Sequence, residues 1–388
     1  MASARPVYIR EALRTPIGKF GGAYKKLSAP KIAASVVKKL IENSKSEPPE
    51  NFVLGHARQA GAGPNPARQT YLLGGGSHEV PCWTVNQACA SGMLSVIQGF
   101  DQIRFSQADS VWAGGVEAMS QTPYLLTQAR WGVRMGPGEL LDGMYKDGFH
   151  CPMADMLMGQ TVENFIASER SITRDRQDDY AFASQQNAAQ SLKGELFNNE
   201  YAYVTDVTEQ VLLNQDEHVR TNLERDKLSS LKAVFAKDGS ITAANSSGVT
   251  DGASVLTLSP ERSGALVEIV DYANVALDPR YMGLGPVPAV TKLLKQQSLK
   301  IDDIALFEIN EAFAAQALAC IDDLQIDPKK VNVRGGVIAL GHPIGATGAR
   351  ILTTLSHALS QSCEAGSYGI ATLCVSGGMG TAILVRGL

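Results

Sequence analysis

Long apolar runs, basic clusters and paired-cysteine motifs are all missing from this 388-residue chain. No stretch approaches the roughly 20 apolar residues that span a bilayer, so no membrane span is expected. No dense Lys/Arg run appears and the net charge is -4, which argues against a nucleic-acid partner. Met1 to Arg14 has no signal-peptide core, and the six cysteines are too scattered for a disulfide framework. Reduced thiols and a cytoplasmic location are expected. No Cys-x2-Cys or His-x3-His pair occurs, so no zinc site is expected. Gly345 to Gly348 lacks the Lys-Ser/Thr of a phosphate loop, and Gly74-Gly75-Gly76 fits no dinucleotide fingerprint. No cofactor is expected.

Glycine, by contrast, is frequent at 37 residues. Much of it flanks three reactive side chains. Cys89 lies in Asn86-Gln87-Ala88-Cys89-Ala90-Ser91-Gly92-Met93, and Cys374 in Leu373-Cys374-Val375-Ser376-Gly377-Gly378. Both read Cys-x-Ser-Gly. His342 lies in Gly341-His342-Pro343-Ile344-Gly345-Ala346-Thr347-Gly348. Two thiols and an imidazole in glycine-rich turns suggest one site drawn from both ends of the chain. One thiolate can serve as nucleophile while the second thiol moves a proton. Each residue has a plainer reading: Cys89 as a small core side chain, His342 as a turn cap, Cys374 as a buried thiol. A Cys89–Cys374 disulfide is disfavoured by the reduced compartment. Asn310, in Asn310-Glu311-Ala312-Phe313, reads either as a helix N-cap or as an amide that orients a water or an oxyanion.

The first third alternates strands and helices. Val7-Tyr8-Ile9 reads as a strand, Ala29 to Glu42 as a helix, and Trp83-Thr84-Val85 as a strand entering the turn at Cys89. Met93, Val96, Ile97, Phe100 and Ile103 mark one helix face. Ser110 to Ala113 reads as a strand ending at Gly114-Gly115. This order implies a parallel sheet with crossover helices. The helix terminus after Cys89 is expected to lower that thiol's pKa. Glycines around His342 are expected to allow close approach of a ligand. Residues 120 to 160 are irregular, a polar helix covers about 174 to 193, and alternation resumes near Ala265. Two similar α/β halves with an insertion in the first is the simplest architecture.

Seven ordered blocks carry a resemblance across essentially the whole chain. They are Arg14-Thr15-Pro16-Ile17-Gly18, Gly114 to Ser120, Asn245-Ser246-Ser247-Gly248 with Asp251-Gly252-Ala253, and Met282 to Pro288. The others are Asn310 to Phe313, Gly341-His342-Pro343 and the Cys374 segment. Together with the Cys89 segment they resemble the thiolase family of acetyl-CoA acetyltransferases and 3-ketoacyl-CoA thiolases. The resemblance implies two similar βαβαβαββ halves in a five-layered α-β-α-β-α core with an inserted loop domain. The implied boundaries are 1–118 plus 249–268, then 119–248 for the loop domain, then 269–388.

It also implies roles. Cys89 is the nucleophile that takes the acyl group, His342 its base, and Cys374 the acid/base at the α-carbon. Asn310 through a water, with His342, would form one oxyanion hole, and the N–H groups of Cys89 and Ser376 the other. Arg220 and Ser247 would contact coenzyme A, and Met282 the acyl group. The implied substrates are acetyl-CoA, acetoacetyl-CoA or other 3-ketoacyl-CoA thioesters and CoA, used by a homo-oligomer whose 121–142 stretch reads as a tetramerisation loop. The implied reaction is a reversible Claisen condensation through an acyl-cysteine.

Two positions depart from the family pattern. Ser376 replaces a common glycine and needs a negative φ. Leu157, in Leu157-Met158-Gly159, stands where short-chain enzymes read histidine, which implies acceptance of longer chains. A decarboxylating ketoacyl synthase would need no second thiol, a cysteine hydrolase likewise, and a non-catalytic lipid-binding member would not need all three residues.

Overall fold

The computed structural model describes residues 4–43, 45 and 47–388. Its principal strands are β1 (Val7–Arg14), β2 (Asn51–His56), β3 (Cys82–Val85), β4 (Val111–Ala118), β5 (Thr250–Ser259), β6 (Val267–Ala276), β7 (Ile304–Ile309), β8 (Tyr368–Val375) and β9 (Met379–Gly387). The long helices are α1 (Ala29–Asn43), α2 (Pro66–Leu73), α3 (Ser91–Arg104), α4 (Arg174–Lys193), α5 (Pro286–Gln297), α6 (Ala314–Leu324) and α7 (Ile344–Ser362).

The strands form one hydrogen-bonded path, β3-β2-β4-β5-β1-β6-β9-β8-β7. Its two halves repeat one plan. In the first, β2 pairs parallel with β3 and β4, then β4, β5 and β1 run antiparallel to their neighbours. In the second, β7 pairs parallel with β8, then β8, β9 and β6 run antiparallel. The counterpart of β3 has shrunk to a parallel bridge between Phe307 and Val331. The halves join where Val7–Ile9 pairs antiparallel with Val267–Ile269. The sheet is therefore mixed. The parallel reading holds for β2, β3 and β4, whereas the strands that flank β1 arrive after residue 249 and run antiparallel to it.

Burial sorts the helices into layers. Helices α3 and α7 lie between the two halves, where Met93, Phe100, Ile351 and Leu355 share a core with Val53, Leu256, Leu373 and Ile383. Helices α1 and α2 cover the outer face of the first half, with Ile32, Val36 and Tyr71 against Phe52 and Trp112. Helix α5 covers the outer face of the second, with Leu293 against Phe307 and Ile370. The order is α-β-α-β-α. All five apolar positions expected on the α3 face are buried, and each such side chain contributes about 1.5–3 kcal/mol.

The expected end of β4 at Gly114-Gly115 is wrong, since the strand continues to Ala118. The glycine pair serves packing. A Cβ on Gly115 would sit 2.1 Å from the Gly345 carbonyl and one on Gly114 2.1 Å from that of Ser254. Among the described residues, no helix is long and apolar enough to cross a membrane.

Candidate active site

The turn from β3 into α3 is a strained elbow. Ala88 has φ 48°, a left-handed conformation that costs a non-glycine residue about 1–2 kcal/mol. Three local hydrogen bonds hold it. Ala88 N–H donates to Asn86 Oδ1 (2.8 Å), Gln87 N–H to Ser91 Oγ (2.9 Å), and the Ser91 hydroxyl to the Ala88 carbonyl (2.6 Å). Cys89 follows in a single 3-10 turn ahead of α3 and stays half-buried.

His342 occupies the equivalent turn of the second half, before α7. Cys374 lies elsewhere in the repeat, at the end of β8. The Cys-x-Ser-Gly echo therefore joins two positions that the fold does not make equivalent. His342 N–H donates to the Gly248 carbonyl (2.9 Å), and its Nδ1 lies 2.6 Å from Thr347 Oγ1. The Thr347 hydroxyl donates its one proton to the Pro343 carbonyl (3.0 Å). Nδ1 then carries the ring proton and Nε2 holds the lone pair. Burial, with the positive charges of Arg58 and Arg350, lowers the His342 pKa to about 3. The ring is a neutral base.

The glycines around His342 serve the protein rather than a ligand. A Cβ on Gly345 would meet the Val116 carbonyl at 2.5 Å, and one on Gly348 the Met93 nitrogen at 2.5 Å. They let α7 pack against β4 and α3.

Cys374 is fully buried. Burial and the neighbouring Cys89 raise its pKa well above the ordinary thiol value, opposed by its own N–H and by the Asn310 amide. In the following turn the left-handed conformations fall on Gly377 (φ 87°) and Gly378 (φ 82°). Ser376 needs none, and its N–H favours a thiolate at Cys89. The expected depression of the Cys89 pKa is not observed. Burial raises it, outweighing Arg58, the Ser376 N–H and Cys89's own N–H.

Cys89, His342, Cys374, Ser376, Ser247 and Met282 line one pocket. Three expected residues do not. Asn310 lies beside Cys374, 0% exposed, where its amide favours a thiolate at that sulfur, and among the described residues its side chain has no other hydrogen-bond partner. It is no N-cap, because α6 starts at Ala314 after Phe313. Leu157 pairs with His150 and donates its N–H to Gln160 Oε1 (2.9 Å), while the neighbouring Met158 lines the pocket. The chain reverses side between adjacent residues there, so the apolar wall belongs to Met158. Arg220 is exposed, and its N–H donates to Gln185 Oε1 (2.8 Å). It neighbours His218, whose pKa it helps burial to lower. The His218 ring in turn abuts Gly248, one side chain removed from the pocket.

Arg58 and Glu117 escaped the sequence reading. Arg58 lines the pocket at 5% exposure, with its guanidinium 4.9 Å from the Phe149 ring centre. Glu117 is buried on β4. It accepts from the N–H groups of Ala57 (3.3 Å), Arg58 (3.2 Å) and Gly345 (2.9 Å) and lies 3.1 Å from His56 Nε2. His56, Arg58 and the Gly345 N–H hold its pKa below the carboxylate value despite burial. It ties β4 to the first turn of α7, directly after His342. Glu117 stood within a quoted block. Arg58, in His56-Ala57-Arg58-Gln59, carries no sequence signal. Among the described residues, no group of three or more His, Cys, Asp or Glu is arranged to hold a metal ion.

Two thiols and a neutral imidazole facing one pocket, on the turns of a duplicated α/β fold, define a cysteine-centred site. Comparison with known proteins identifies the family. Residues 7–262 match the thiolase N-terminal domain and residues 264–387 the thiolase C-terminal domain. The chain belongs to the thiolase family. It is 43% identical over 391 residues to a protein of Escherichia coli (strain K12) named acetyl-CoA acetyltransferase, with 98% of each covered. It is 41% identical, at the same coverage, to a probable acetyl-CoA acyltransferase of Staphylococcus epidermidis. A crystal structure of the Bacillus anthracis acetyl-CoA acetyltransferase superposes with a TM-score of 0.95 at 38% identity, covering 100% of both chains.

Proposed function

We propose that this chain is an acetyl-CoA acyltransferase that interconverts two acetyl-CoA with acetoacetyl-CoA and CoA through an acyl-Cys89 intermediate. The observation that carries the reading is the convergence of Cys89, His342 and Cys374 on one pocket, with the Ser376 N–H directed to the Cys89 sulfur. His342, neutral with a free Nε2, takes the Cys89 proton as sulfur attacks the thioester carbonyl, and the Cys374 thiol gives its proton to the departing CoA thiolate. The N–H groups of Cys89 and Ser376 stabilise the oxyanion. Cys374, now a thiolate, takes an α-proton from a second acetyl-CoA, and the resulting carbanion displaces the Cys89 thiolate, which recovers its proton from His342. The amide of Asn310, beside Cys374, would hold a water against the other thioester oxygen.

Ser247 and Met282 are the proposed substrate contacts within the pocket, with Arg220 outside it. Residues 119–248 are the proposed loop domain. A second reading, turnover of longer 3-ketoacyl-CoA, rests on the apolar wall of Met158 and Phe313. No cofactor beyond CoA thioesters enters either scheme. Exposed Trp131 and Met135 support a homo-oligomer, and unpaired thiols fit a cytoplasmic setting.

The test is CoA-dependent thiolysis of acetoacetyl-CoA and of 3-oxodecanoyl-CoA, with Cys89→Ala as the blank. Turnover of the first supports the proposal, and of both the longer-chain reading. Folded protein inert on both sinks the assignment.

A further inference from the structure

Arg58 is a buried cation in the pocket that the proposed acyl-transfer chemistry leaves without a counterion. Its Nε is buried without a hydrogen-bond partner, and its Nη2 makes one long bond to the Met144 carbonyl, 3.4 Å. Among the described residues none forms an ion pair with it. Glu117, the nearest buried carboxylate, is committed to three backbone N–H groups and His56. Asp147 faces the pocket from an exposed position, and Asp142 accepts from Met144 N–H (2.8 Å). Both act only at a distance. Glu117 therefore acts on Arg58 through space without pairing to it, and a buried charge that is only partly compensated is kept where it meets a partner.

A Cys89 thiolate would be one partner, but only part of the time. Once acylated, Cys89 carries no charge, and Arg58 keeps its place in the lining of the same pocket. The Phe149 ring centre lies 4.9 Å from the guanidinium, and a planar guanidinium is the side chain suited to two-oxygen recognition of a carboxylate. Met158, Met282 and Phe313 supply apolar wall for intervening methylenes.

Resting on the acyl-transfer reading, we infer that Arg58 is a specificity-determining residue that binds a carboxylate on the acyl group. The preferred 3-oxoacyl-CoA substrates of this chain then end in a carboxylate rather than a methyl group.

The experiment compares kcat/KM for thiolysis of the CoA thioester of 3-oxohexanedioic acid with that of 3-oxohexanoyl-CoA, the same length without the charge. Wild-type protein is expected to favour the dicarboxylic substrate. Arg58→Met is expected to lower the charged-to-neutral ratio roughly 10- to 100-fold, the scale of one charge-assisted hydrogen-bonded contact. Arg58→Lys, which keeps the charge but loses the fork, falls between. A wild-type preference for the neutral chain, or a ratio unmoved by Arg58→Met, overturns the inference. So does a variant that slows both substrates alike and shifts only the pH dependence of Cys89 alkylation by iodoacetamide, because Arg58 then serves the nucleophile. Equilibrium binding of hexanedioyl-CoA and hexanoyl-CoA to the same proteins reads the contact without turnover. Charge-selective binding in a protein inert to every 3-oxoacyl-CoA would keep the Arg58 contact and sink the acyl-transfer reading. Equal binding of the two thioesters would sink the Arg58 contact alone.

Discussion

At the scale of single residues, the pocket holds one imidazole uncharged. His342 titrates at about 3 in the folded chain, against about 6.5 for an unperturbed histidine. Between pH 6.5 and 3 the unfolded chain takes up a proton here that the native protein refuses. The neutral-form stability is therefore complete above pH 6.5 and is lost as pH falls toward 3; above 6.5 it is flat. His342→Gln lacks this dependence. Relative to wild type, the variant is expected to gain about 2 kcal/mol between pH 7.5 and pH 5.0. Urea unfolding of both proteins at the two pH values measures it. A constant difference would show that His342 protonates normally in the fold. The meeting of Cys89, His342 and Cys374 in one pocket was legible because the two cysteines share the pattern Cys-x-Ser-Gly and His342 stands among glycines. Arg58 was not, because a lone arginine in a polar segment reads as a solvated charge. Met144, Gly148 and Phe149, from a stretch without periodicity, pack against it. Leu157 shows the same limit, since in a two-residue strand the sequence does not say which neighbour faces inward.

At the scale of elements, the contact between α3 and α7 sets the position of both reactive turns, because Cys89 precedes one helix and His342 the other. The contact depends on small residues. A Cβ on Gly348 would sit 2.5 Å from the Met93 nitrogen and 2.6 Å from its Cβ, atoms fixed by the first turn of α3. Gly348→Ala is expected to destabilise the fold by about 1–3 kcal/mol through overpacking. It should also lower kcat, since the displaced turn holds Thr347 against His342 Nδ1. Urea midpoints and acetoacetyl-CoA thiolysis check the two parts. A variant as stable and as active as wild type would show that the helices have slack. The helices were readable from their 3,4 apolar spacing, as α3 illustrates. The strand β4 was read short because Gly114-Gly115 looks like punctuation along the chain, whereas in three dimensions the pair is where other backbone comes closest.

At the scale of the whole molecule, the repeated halves explain why reactive groups so distant in sequence meet, but they do not account for one surface. Between β4 and α4 the chain forms an arm whose base is the short pairing of Tyr124 and Leu125 with Asp142 and Leu141. Trp131 is 88% exposed, Met135 92% and Leu140 62%. Single exposed apolar residues are common, but a cluster on a projecting arm marks an association surface. If a second copy covers it, closed symmetry sets one arm against its match on that copy. The double variant Trp131→Ser, Met135→Ser removes the two largest exposed groups without touching the pocket. In sedimentation at matched concentration, wild-type protein is expected to be an oligomer and the variant a smaller species. Unchanged mass in the variant would mean that the arm does not hold the copies together, and wild-type protein sedimenting as a single chain would leave the arm facing a partner of another kind.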